Sequence, residues 1–328
     1  MPILPQTIKF SGKVHKDQDL SAIANFEIDG ETYLAIGSDE SKQRVQLLKQ
    51  TSEQVYDVDD GLEIKLPVAE NPDEIDIESI TFDRQSNCLY IAGSHSKKRK
   101  TVKVDDNTAE DNRVRLAKIS PETLRNQIFQ VKLDTESGKV KGNIKVNKNL
   151  KEVIKTDPYL KSFIDIPSKE NGIDIEGLAI KEGRLYLGFR GPVLRGNYVP
   201  VIVTQFDDLE DYEIRFVQLG GNGIRDITAV ENGFLIISGP VGDAPGPYRL
   251  YFWDGADMVY GRDRLPPMPP ALIHLEDIAP YIGEEGSQGK AEGITVLEET
   301  ATAYQALIIY DSLKNGNPQL WRIGKPGC

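Results

Sequence analysis

The sequence predicts an all-β fold, a single β-propeller, and three observations carry the prediction. One unit recurs five times along the chain: an apolar strand, a short turn and a second apolar strand. The strands are β-branched and aromatic, and the turns between them hold Asp, Asn, Gly or Glu, which argues hairpins rather than helices. Further apolar strands follow each hairpin, so each unit has the material for a small sheet. A ring of such sheets leaves only short, protected edges.

The central unit is the clearest. Asp174-Ile175-Glu176-Gly177-Leu178-Ala179-Ile180 runs into a turn at Lys181-Glu182-Gly183, then into Leu185-Tyr186-Leu187-Gly188-Phe189. Its second strand delivers Arg190, Gly191, Pro192 and Arg195. Aligned on Glu176, the other units start at Ser21, Glu78, Arg225 and Glu292. Their second strands are Thr32 to Ile36, Cys88 to Ala92, Phe234 to Ile237 and Ala306 to Tyr310. Outer strands are expected at Arg44 to Leu48, Gln127 to Val131, Val199 to Val203, Tyr248 to Phe252 and Gln319 to Ile323.

The interval from Glu78 to Glu176 is long. It reads as one blade with two insertions, a charged one near 95–126 and a short helical one near 149–163, interrupted at Pro158. Six blades is the alternative, if that interval hides a degenerate copy. The last unit supplies only three clear strands, and Thr7-Ile8-Lys9-Phe10 is an orphan before the first unit. That N-terminal strand is expected to complete the last blade, making residues 1–328 one closed domain.

Composition narrows the partners. Of 328 residues, 39% are apolar and 27% charged, as in an ordinary soluble domain. A net charge of -12 argues against nucleic acid or an anionic membrane as partner. No apolar run approaches the roughly 20 residues of a membrane span. The start, MPILPQTIKF, lacks a basic stretch followed by an apolar core. The two cysteines, Cys88 and Cys328, form no disulfide framework. Together these favour a cytoplasmic location.

The segment DIEGLAI…LYLGFRGPVLRG, with Gly93-Ser94-His95-Ser96 in an earlier unit, resembles a bacterial propeller family catalogued as a domain of unknown function. That family is distantly similar to the esterase-like phytase propellers, which share the Glu-Gly-Leu strand start. The resemblance implies a propeller with a site on one face. It implies no reaction, and no Arg-His-Gly run of the acid-phosphatase kind is present.

In a propeller, the loop entering the innermost strand and the loop after the second strand open on the same face. The first set of residues there is Ser21, Glu78, Glu176, Arg225 and Glu292. The second is Ser38-Asp39-Glu40, Ser94-His95-Ser96, Arg190 with Arg195, Gly239-Pro240 with Asp243, and Asp311-Ser312. Carboxylates about 5 Å apart at an effective dielectric near 20 repel by roughly 3 kcal/mol per pair. Glu78, Glu176 and Glu292 therefore need a cation, an arginine or raised pKa values. Calcium held by the three glutamates is one expectation; a structural ion-pair network through Arg225 is the other. Arg190, Arg195 and Arg225 suit a carboxylate or phosphate ligand. Glu176, Asp174 and His95 are the candidate acid–base groups. The basic run Lys97 to Lys100 is followed by Asp105, Asp106, Glu110 and Asp111, and reads as a self-neutralising solvated insertion. Two functions follow: an esterase- or phosphoesterase-like hydrolase of a small anionic substrate, or a non-catalytic propeller binding a small ligand or a protein.

Overall fold

Each of the five repeats forms its own antiparallel sheet, and the sheets stand in a ring. The computed structural model describes residues 5–68, 74–283 and 286–327. From the axis outward, the blades run Leu20–Ile28, Glu31–Ser38, Arg44–Ser52, Val55–Val58; Ile77–Asp83, Cys88–Gly93, Ile128–Lys132, Lys145–Asn147; Asp174–Lys181, Arg184–Gly191, Tyr198–Gln205, Asp208–Gln218; Gly223–Val230, Gly233–Gly239, Tyr248–Trp253, Leu272–Ile278; and Lys290–Glu299, Ala303–Asp311, Gln319–Gly324, Gln6–Thr7. The first strand of each blade packs against the first strands of both neighbours, and the fifth returns to the first. That closure fixes the blade number at five, with a single blade between Glu78 and Glu176.

Burial explains the ring. Five apolar clusters occupy the five seams between blades. The second strands Arg184–Gly191 and Gly233–Gly239 are buried on both faces over almost their whole length, which is why their middles run apolar rather than alternating. Gly177 and Gly188 let the third blade receive the fourth: a Cβ on either would come within 2.8 Å of the methyls of Ile227 or Ile224.

The N-terminal strand closes the last blade, but it divides as it does so. Gln6–Thr7 pairs antiparallel with Leu320 and Gln319, while Lys9–Ser11 pairs parallel with Val55 to Asp57 of the first blade. Ile8 and Phe10 are the reason. They bury in the seam with Leu20, Ile36, Leu307 and Ile309, so the segment must straddle both sheets.

Between the second and third strands of the second blade, Lys98–Arg99 pairs with Ile119–Ser120. The helix Ala109–Ala117 lies between them, capped by Thr108 and Asp111, with no buried residue. The helix Leu150–Thr156 buries Leu150, Val153 and Ile154 in the seam of the second and third blades. Cys88 is a buried free thiol in that same seam; Cys328 lies outside the described residues. No helix among the described residues is long and apolar enough to cross a membrane.

Candidate functional site

The five aligned strand starts share one backbone feature. The pairing register slips between Leu20 and Ala22, Ile77 and Ser79, Ile175 and Gly177, Ile224 and Asp226, and Ala291 and Gly293. The residue left over at each slip is Ser21, Glu78, Glu176, Arg225 or Glu292. A bulge leaves one residue outside the ladder and re-aims its side chain. Repeated five times, it brings five side chains to one end of the channel. The opposite end is lined by Asn25, Thr81, Thr228 and Thr295, together with Arg84, Glu298 and Glu299.

At the bulged end the charges form a chain. Arg190 bonds Asp174 through one guanidinium nitrogen and Glu176 through another at 2.6 Å. Glu176 reaches Arg225 Nε at 2.9 Å through its other oxygen, and Arg225 continues to Glu292. Glu176 is 2% exposed and Arg225 4%. Burial pushes Glu176 up to about 7, against the pull of Arg190 and Arg225. Lys290 pairs with Asp311 at 2.6 Å and Lys169 with Asp243 at 2.7 Å. Arg190, Arg225, Lys169 and Lys290 line a cavity of about 230 Å³ with Tyr248 and the loop from Pro240 to Gly246. Asp243 is the one carboxylate among its described lining residues.

The adjoining side of the mouth is acidic. A cavity of about 350 Å³ shares Lys169, Arg190, Asp243 and Lys290 with the first, then extends to Asp39, Asp76 and Glu78. Arg125 anchors this side, meeting Asp76 at 2.7 Å, Glu122 at 2.5 Å and Glu74 at 3.2 Å. Burial and the charge of Asp76 push Asp39 up to about 8. Asp76 rises to about 6, burial outweighing Arg125. Glu78 makes no ion pair among the described residues. Burial, with Asp76, Glu176, Asp39 and Asp174 nearby, holds it well above the usual carboxylate range.

The family model for proteins of unknown function designated DUF3616 matches residues 19–319. The chain belongs to that family. A search of curated proteins finds no match. Among solved structures, the exo-β-1,3-galactanase of Phanerochaete chrysosporium is similar over 98% of this chain, at 8% identity and a TM-score of 0.45. The chain spans 63% of that protein's length. A GDP-mannose-dependent mannosyltransferase of Leishmania mexicana gives 10% identity and a TM-score of 0.46, over 98% of this chain and 88% of that one. Sqt1 of Saccharomyces cerevisiae gives 8% identity and a TM-score of 0.38, over 99% and 100%. At such scores the likenesses carry no functional argument.

In this DUF3616 chain the expected residues separate into three groups. Asp174, Glu176, Arg190, Arg225 and Glu292 converge, and Glu78 joins them across the mouth. His95 lies near but turns away. Its Nδ1 meets the Gly93 carbonyl at 2.8 Å, its Nε2 is buried without a partner, and it lines neither cavity. Burial lowers it to about 4, so it is neutral at physiological pH. Its neighbour Ser96 faces the mouth instead, accepting from Arg125 at 3.2 Å. Arg195 stands apart and exposed. Arg190 is still on the strand, whereas Arg195 lies beyond a turn that Asn171 pins through Val193.

The trio Glu78, Glu176 and Glu292 does not fit a calcium ion. Arg225 sits between Glu176 and Glu292 and takes an oxygen from each. Among the described residues, no three acidic, histidine or cysteine groups converge as a metal site.

Asp76, Arg125, Lys169 and Lys290 were missed: Arg125 and Lys169 lie outside the repeated unit and escape the alignment, whereas Asp76 and Lys290 stand two residues before Glu78 and Glu292, as Asp174 does before Glu176. Asp226 was also missed, and it ties the channel together. It is 2% exposed and accepts from Ser79 Oγ at 2.9 Å, Ile227 N at 2.8 Å and Ile294 N at 2.8 Å, joining the second, fourth and fifth blades. The signal was present: the residue after the bulge is Ala22, Ser79, Gly177 or Gly293 in the other units, and only here is it charged.

Proposed function

We propose that the mouth binds a small anionic substrate and hydrolyses an ester within it. The observation that carries this reading is the basic cavity, where four cationic side chains face a single lining carboxylate. Arg190 Nε is buried there without a hydrogen-bond partner, a donor left for a ligand. Forked guanidinium donors suit phosphate or carboxylate oxygens.

Hydrolysis needs one group to give a proton and another to take one. Glu78, which burial and the neighbouring carboxylates hold well above the usual carboxylate range, faces the same mouth and is the proton donor of this reading. Glu176, near 7, exchanges its proton in the working range. In the proposed step an anion draws Arg190 toward itself and frees a Glu176 oxygen. Water attacks the ester centre and passes a proton to Glu176. The bond to the leaving oxygen breaks, and Glu78 protonates that oxygen.

The test pairs binding with turnover. Phosphate or citrate at millimolar concentration should raise the Tm of the wild type, and Arg190→Met should abolish the shift. A chromogenic phosphate or carboxylate ester should turn over, with Glu78→Gln slower by roughly 100-fold, as expected for loss of a general acid. Anion binding without turnover of any ester would favour the non-catalytic ligand-binding propeller. A wild-type Tm indifferent to every anion would sink both.

A further inference from the structure

The mouth does not end at the acidic side. A cleft of about 680 Å³ runs on beneath the Lys98–Ser120 excursion, where Lys42, Lys98, Arg99, Lys100 and Arg115 face Glu74 and Glu122. Lys98, Arg99 and Lys100 line the mouth cavity as well, so the two are continuous.

Its described lining carries five cations against two carboxylates, in a chain whose net charge is -12. Both carboxylates are engaged by Arg125, Glu74 at 3.2 Å and Glu122 at 2.5 Å. Lys42, Lys100 and Arg115 make no ion pair among the described residues. The acids that follow the basic run do not neutralise it. Asp111 caps its own helix through Thr108, Asp106 lies 3.6 Å from Lys103, and neither lines the cleft. The excursion is held in place from the other side. Arg99 grips both oxygens of Glu170, and Arg115 Nε donates to the Thr101 carbonyl at 2.8 Å.

A small ligand at Arg190 and Arg225 would leave this basic trough unused. We propose that the substrate class is an anionic oligomer, a chain carrying several phosphate or carboxylate groups, with its end at Arg190 and Arg225 and its body along the trough past Lys100 to Lys42. No aromatic side chain lies among the described lining residues, so nothing there would stack nucleic-acid bases. The inference rests on the anion reading of the mouth and adds the length of the ligand.

The probes are orthophosphate, tripolyphosphate, a longer linear polyphosphate, galacturonate, oligogalacturonate and a single-stranded oligonucleotide, measured by calorimetry on the full chain at two salt concentrations. Affinity should rise with chain length among the phosphates or among the uronates, and the series that rises identifies the chemistry. The variant Lys42→Glu changes a side chain that lines the trough and neither mouth cavity. It should weaken the longest probe by roughly tenfold, with a shallower salt dependence, and leave orthophosphate unchanged. Orthophosphate binding with no gain from length in either series would overturn the inference and spare the mouth. A preference for the oligonucleotide would overturn it too. Failure of every anion would remove the reading beneath it.

Discussion

The two sides of the mouth each carry a bulged glutamate among buried charges and reach opposite electrostatic ends. On the side of the third, fourth and fifth blades, bulged Glu176, Arg225 and Glu292 alternate in sign, and Arg190 extends the chain to Asp174. On the side of the first and second blades, Asp39, Asp76 and Glu78 line one cavity with Arg125, which pairs with Asp76, Glu74 and Glu122. Neutralisation by arginine and neutralisation by proton are two answers to one cost, that of a carboxylate out of water. The difference teaches where ligand chemistry can start. The arginine side offers fixed positive charge for an anion, and the proton side offers exchangeable protons.

The largest effect should come from breaking the arginine side. Arg225→Met strands Glu176 and Glu292 in a buried site, and loss of one partner of such a pair costs about 3–5 kcal/mol. Urea unfolding at pH 8 should show that loss. At pH 5 it should shrink, because Glu176, already near 7, can take a proton instead of staying charged. An equal loss at both pH values would mean that its carboxylate is not what Arg225 stabilises.

The proton side should respond with the opposite sign. Asp39 is raised from 3.8 to about 8, so between those values the folded chain holds a proton that the unfolded chain has released. Stability from this group is therefore full below about pH 4 and declines as pH rises toward 8. Asp76 adds to the same decline up to about 6. Asp39→Asn keeps the shape without the charge. It should raise the Tm at pH 8 by roughly 2–4 °C and leave it unchanged at pH 4. A variant less stable than wild type at pH 8 would show that the ionised carboxylate is wanted there.

How much of this contrast was legible differs between the sides. The repeat exposes all five strand starts, since bulged residues stay in register with the apolar strands around them. Glu176, Arg225 and Glu292 can thus be aligned from the amino-acid pattern alone. The proton side resists in part, because its partners come from irregular chain. Asp76 precedes its strand with φ 59°, and Arg125 lies in a short turn of 3-10 helix at the end of the excursion. Asp76 does stand where Asp174 stands, two residues before the bulged glutamate, so the repeat could have found it; Arg125 belongs to the excursion, outside the repeated unit. Asp226 was hidden differently: it occupies a repeated position but accepts from three blades, a relation that strand alignment does not encode.

The smallest effect should come from Arg195, the arginine that the RGPVLRG loop makes most conspicuous. Five residues separate it from Arg190, yet the two differ in every property that fixes an energy. Arg190 is 8% exposed and carries two carboxylates; Arg195 is exposed and has no ion pair among the described residues. Surface substitutions of this kind stay within about 0.5 kcal/mol of wild type. Arg195→Ala should therefore leave the urea midpoint in place, and anion-induced stabilisation should persist at its wild-type size. Arg190→Met in parallel should lower the midpoint and remove the stabilisation together. If Arg195→Ala instead removes the anion effect and keeps the fold, the ligand sits outside the mouth, on the loop beyond Pro192. The contrast between an arginine side and a proton side would then describe how the channel is held together, and binding would need a separate account.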